Sequence, residues 1–144
     1  LVCAGIQAVG SLAEGIVTTY SQAPDTLETS LLPALYPLTG QARHDGEIQG
    51  EGFVQVTRSY NVQVAVQATG QGAPSEIEQA CRGLISSVCA VFRRYPMLKD
   101  APGVLRSVIV SDSGPALLTE WGGKYIGFEI RLEVTTIEPV EFEE

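Results

Sequence analysis

Two apolar stripes at helical spacing and one long apolar–polar alternation divide this chain. Val2, Ile6, Val9, Ala13, Ile16 and Tyr20 recur at steps of 4, 3, 4, 3 and 4, which lines one face of a helix. On the same stretch Ala4, Ala8, Ser11 and Gly15 form a second stripe of small residues, and Glu14 is the one charge among the first twenty positions. A helix with an apolar face and a small, nearly neutral second face either packs against a partner or is buried within its own domain. Its interior glycines each cost about 1 kcal/mol relative to alanine and weigh against an unbroken helix.

The second helix is predicted from Ile77, Cys81, Leu84, Val88, Val91 and Tyr95, again stepping 4, 3, 4, 3 and 4. Ser75 and Glu78 supply an S-x-x-E capping box, Arg93 and Arg94 complement the helix dipole in the last turn, and Pro96 stops it. Between the helices, Val54, Val56, Tyr60, Val62, Val64 and Val66 alternate with Gln55, Thr57, Ser59, Asn61, Gln63 and Gln67. Period two over this length predicts a long strand with one buried face, on which Arg58 is the single intruder. Residues 31–38 are apolar but hold Pro33 and Pro37, so they read as an edge strand or extended segment. Residues 39–52 carry four glycines without periodicity and read as a long loop, either functional or ordered only on binding. Strands at 104–110 and 124–136 follow, joined through Asp112-Ser113-Gly114-Pro115 and Gly122-Gly123. The expected fold is a single α+β domain over 1–144. It holds a mostly antiparallel sheet of about four strands, with two helices on its apolar face and an acidic, solvated tail at 138–144.

Composition narrows the function. The 144 residues carry 9 Lys+Arg against 17 Asp+Glu, a formal charge of −8, so bare nucleic acid and anionic membranes are poor partners. The uncharged run 1–13 is too short to span a bilayer and lacks the basic n-region of a signal peptide. Cys3, Cys81 and Cys89 include no C-x-x-C pair, and the last two lie too far apart along one helix to bridge, so all three read as reduced and buried.

One histidine leaves little for triad or metal chemistry, so the chain is read as non-enzymatic, without cofactor or metal. Gly70-x-Gly72-x-x-Ser75 departs from a dinucleotide fingerprint at its third glycine and reads as a turn with a helix cap. His44-Asp45-Gly46-Glu47 lacks ligand spacing and reads as a solvated loop; with Glu51 it is the candidate partner-contact segment. Asp112-Ser113-Gly114 is hairpin chemistry and not a nucleophile elbow. Arg82, Arg93, Arg94 and Lys99 form either a solvated, dipole-capping face or the charged rim of a protein interface.

Several segments together resemble the tail terminator proteins of long-tailed bacteriophages. They are the neutral N-terminal helix, Ala23-Pro24-Asp25, Leu32-Pro33-Ala34-Leu35-Tyr36-Pro37-Leu38, Val62-Gln63-Val64, Phe92-Arg93-Arg94-Tyr95-Pro96 and Gly123-Lys124-Tyr125-Ile126-Gly127-Phe128. The resemblance spans nearly the whole chain. It implies a virion protein, assembled in the host cytoplasm, that forms a homo-oligomeric ring, a hexamer, on the end of the tail tube. Such a ring stops tube polymerisation, offers a docking surface to the head connector, and lets DNA pass without binding it specifically. In that setting Ala4, Ala8, Ser11, Gly15, Arg93 and Arg94 are candidates for the subunit interface. Glu47, Glu51, Glu129 and Glu133 are candidate channel-facing acids, with more weight on the loop pair because Arg131 lies between the strand pair. The rival reading is a cytosolic small-ligand or regulatory α+β domain with its ligand between helices and sheet.

Overall fold

A computed structural model describes residues 2–47, 52–70, 74–118 and 124–139. The elements are α1 (Val2–Gly10), β1 (Thr18–Thr19), a 3-10 turn (Thr29–Leu31), β2 (Ala34–Glu47), β3 (Phe53–Ala68), α2 (Pro74–Arg94), β4 (Val104–Asp112), β5 (Ala116–Leu118) and β6 (Tyr125–Pro139). The chain is α+β, and its sheet has six strands rather than about four. The four long strands run β2-β3-β6-β4 and pair antiparallel throughout; the short β1 joins β2 in parallel, and β5 joins β6 beside β4.

The alternation of β3 does what period two requires. Tyr60, Val62 and Val64 turn to the helices and meet Leu132, Ile130 and Phe128 on β6, while Ile6 and Val9 of α1 and Ile77, Cys81, Leu84, Val88, Cys89 and Phe92 of α2 close the core over them. Each such side chain removed from water contributes about 1.5–3 kcal/mol. Arg58 sits where the core ends; it is half-buried and donates from Nη1 to the Gly40 carbonyl at 3.1 Å.

Five further expectations are corrected. The first helix ends at Gly10 and does not reach Tyr20. Hydrogen bonds of three- and four-residue span carry the chain through Ser11, Leu12 and Ala13, and Gly15 at φ +95° turns it toward β1. Residues 39–47, expected as loop, continue β2 against β3, with register shifts at 39–42 and 44–47 where the glycines fall. Ser75 is not the N-cap, because α2 already begins at Pro74, a residue suited to the first helical position. Asp112-Ser113-Gly114-Pro115 makes no hairpin. β4 and β5 run in one direction along β6, and the four residues form a kink between them. There the Gly114 amide donates to Asp112 Oδ1 at 3.0 Å, and Ser113 exchanges hydrogen bonds with the Glu129 backbone. The tail expected from residue 138 also begins inside β6, which extends to Pro139; residues 140–144 lie outside the described residues.

Cys81 and Cys89 are buried and Cys3 is half-buried, all three as free thiols. Burial pushes the Cys81 and Cys89 thiols and the Tyr60 phenol above their ordinary values. In each case desolvation disfavours the ionised form, so the folded chain holds these protons after the unfolded chain has lost them. Their contribution to stability is therefore complete below about pH 8 and is lost as pH rises past the unfolded values, the thiols first and the phenol later. Urea midpoints should fall with pH across the alkaline range, and Cys3 should react with iodoacetamide at pH 8 well before Cys81 and Cys89.

Candidate functional site

The face of the sheet turned away from the helices is built from the polar half of the β3 alternation. Thr57, Ser59, Asn61 and Gln63 lie beside Thr135, Glu133, Arg131 and Glu129 of β6 in antiparallel register. One end of this face is closed. The segment between β1 and β2 lays Tyr20, Leu27 and Leu32 over Tyr36, Ala65, Leu118 and Tyr125 in a second, smaller apolar cluster. Tyr125 ties that segment down by donating to the Leu27 carbonyl at 2.8 Å.

At the border of the cluster a buried polar chain begins. The Tyr36 hydroxyl donates to Gln63 Oε1 at 2.8 Å, and Gln63 Nε2 donates to Glu129 Oε2 at 2.9 Å. Gln63 is 3% exposed, so its amide needs both partners, and no buried side-chain nitrogen or oxygen among the described residues lacks one. Beyond Glu129 the face opens into a cleft of about 500 Å³ lined by Gln41, Ser59, Asn61, Asp112, Glu129 and Arg131 among others. A shallower hollow with Arg43, Thr57 and Glu133 continues it. Donors and acceptors of both charge signs stand here in mixed order.

The expected site residues separate into distinct places. Glu129 and Glu133 do share one face, half-buried, with Arg131 exposed between them. Ala4 and Ala8 are exposed on α1; Ser11 lies past its end, its hydroxyl returned to the Ala8 carbonyl at 2.7 Å. Gly15 is not part of that stripe, because the helix has ended. A Cβ there would stand 2.8 Å from the Leu84 side chain, so its smallness serves the contact with α2. Arg93 and Arg94 are exposed at the end of α2, with Arg94 and Lys99 5.8 and 5.9 Å from the Tyr95 ring centroid. Arg82 instead pairs with Glu78 one turn away. His44 is exposed on β2 opposite Val56. Asp45 and Glu47 follow on β2 with side chains outside the described residues, and Glu51 lies outside them altogether. No group of three His, Cys, Asp or Glu able to hold a metal occurs among the described residues.

Sequence reasoning missed two features. The Tyr36–Gln63–Glu129 chain spans three strands, and only the register brings it together. Along β4 and β5, Leu105, Val108, Val110 and Leu117 are 41–58% exposed, although their apolar character alone would assign them to a core. No known protein family matches the chain, and no characterised protein sequence matches it.

Tyr36→Phe removes one hydroxyl and leaves Gln63 Oε1 buried without that donor. The variant should lose about 1–3 kcal/mol of stability in urea unfolding while keeping its far-UV circular dichroism.

Proposed function

We propose that this chain is a structural virion protein of a long-tailed bacteriophage, a tail terminator that caps the tail tube as a ring and offers the docking surface for the head connector. The observation that carries the reading is a sheet open on both sides. No strand pairs with the outer side of β2 beyond Leu35 among the described residues, and none pairs with the outer side of β4, where Leu105, Val108 and Val110 are exposed apolar residues. Open edges invite pairing with another chain. Edges at opposite sides of one sheet suit a head-to-tail contact, which closes into a ring when the rotation permits. The sequence resemblance supplies the kind of ring, its six-fold order and its partners, the tail tube protein and the head connector.

Charge fits the same reading. Six copies at −8 each carry −48 formal charges, and such a ring needs its acids spread toward solvent or a central channel. A channel so lined lets DNA through without holding it. The alternative, a small-ligand or regulatory domain, draws on the polar cleft, which lies on the helix-free face and not between helices and sheet where that reading expects its ligand.

Negative-stain electron microscopy of the purified protein separates the two. The terminator reading expects rings with a central opening; a monomer or dimer that binds a small polar molecule saturably would sink it. Within the ring reading, Glu47→Lys combined with Glu51→Lys should leave particle assembly intact and disturb DNA retention or release. Normal infectivity in that variant removes these two acids from the channel.

A further inference from the structure

At the edge of the sheet, Phe92, Arg93 and Pro96 from the end of α2 face Ser107, Val108 and Ile109 of β4 across a groove of about 230 Å³. The Ser107 amide is already taken, donating to the Pro96 carbonyl. Beyond it no strand pairs with the outer side of β4 among the described residues, which leaves 108–112 open. Val108 and Val110 on this stretch are 46% and 50% exposed. Arg93 lines the groove, Arg94 is exposed next to it in sequence, and Arg106 is exposed on β4; Asp112 is the acid at the far end of the strand. The edge is thus apolar, basic and short of one strand.

The same chain contains a segment of complementary character. Residues 140–144 read Val-Glu-Phe-Glu-Glu, an apolar–acidic alternation that follows directly on β6. It cannot fill the groove of its own copy. Ser107 and Ile109 stand opposite Val134 and Leu132, five and seven positions back from Pro139, the last residue of β6. That is about 17–24 Å along the strand. Phe142 lies three residues past Pro139 and reaches at most about 11 Å from it.

We propose that segment 140–144 of one copy adds as a strand to the open stretch of β4 in a second copy, with Phe142 in the groove and Glu144, two residues on and so on the same face, against Arg93. Backbone pairing supplies affinity, and the alternate side chains supply specificity. The contact is head-to-tail, so every copy gives one segment and receives one. It deepens the ring reading by giving the open edge of β4 to this segment rather than to the neighbour's β2, and the closure of the assembly rests on that reading.

Phe142→Ser and Val108→Lys, each in the full chain, should both sediment as monomers where the unaltered protein assembles. Mixed together they should form a one-to-one dimer that grows no further, because one retains the segment and the other the groove. A fluorescein-labelled peptide of residues 138–144 should bind the Phe142→Ser protein, more weakly as salt rises, and about tenfold more weakly after a further Arg93→Glu change, about 1.4 kcal/mol. Normal assembly of Phe142→Ser, a mixture that stays monomeric, or a peptide that does not bind overturns the docking. Rings that form through this contact yet fail to cap tail tubes would instead overturn the proposed function and leave the docking standing.

Discussion

The pairing of β3 with β6 is the constraint on which the rest of the molecule depends. It runs from Phe53 opposite Pro139 to Ala68 opposite Tyr125, and the other strands hang from one of these two, β2 on β3 and β4 and β5 on β6, with β1 added to β2. The pair closes only because residue 127 has no side chain. A Cβ on Gly127 would stand 1.8 Å from the Val64 carbonyl oxygen, with backbone on the opposing strand that cannot yield as a flexible side chain does. The register shift between Ala65 and Gln67 lies beside it, where the strands crowd together. With that register set, Val62 faces Ile130 and Val64 faces Phe128 beneath the helices, and Gln63 faces Glu129 on the other side.

What was legible in the sequence was what repeats over many residues. The sixteen-residue β3 and the twenty-one-residue α2 carry their burial in their own spacing, so their faces could be read directly. Even there the helix face is wider than one stripe, since Cys89 and Phe92 are buried while Val91 and Tyr95 are partly exposed. The extent of α1 was misread because the stripe continues in sequence after the backbone has turned at Gly10 and Gly15. The second half of β2 was misread for the opposite reason. Gly40 and Gly46 break its alternation, yet an edge strand needs pairing on one side only and tolerates them. β5 is three residues long, too short for any pattern. The polar row of the outer face was visible as the other half of β3, whereas the Tyr36–Gln63–Glu129 chain and the groove beside Phe92 depend on which residues lie opposite one another. Local sequence does not carry that information.

The fold keeps stability and contact apart. The large apolar residues of both helices are spent on one side of the sheet, and what remains for other molecules is a polar face and two edges. Three left-handed residues in succession, Leu98, Lys99 and Asp100, lie between α2 and β4. Such conformations are costly away from glycine. Leu98 is 1% exposed, and its place in the core holds the turn that brings Pro96 against Ser107. The basic end of α2 is thereby fixed beside the open edge of β4.

The three-stranded ribbon of β2, β3 and β6 is longer than the helices that cover it. The fully buried block of β3 spans residues 62–65, while 57–59, toward the Phe53 end, are only partly covered. Opening of backbone hydrogen bonds costs least where little apolar surface lies above them. A single continuous strand therefore spans two regimes, a slow-exchanging centre under the helices and a fast-exchanging arm at 53–55, beyond the buried Val56. The arm can twist against the body without breaking the core.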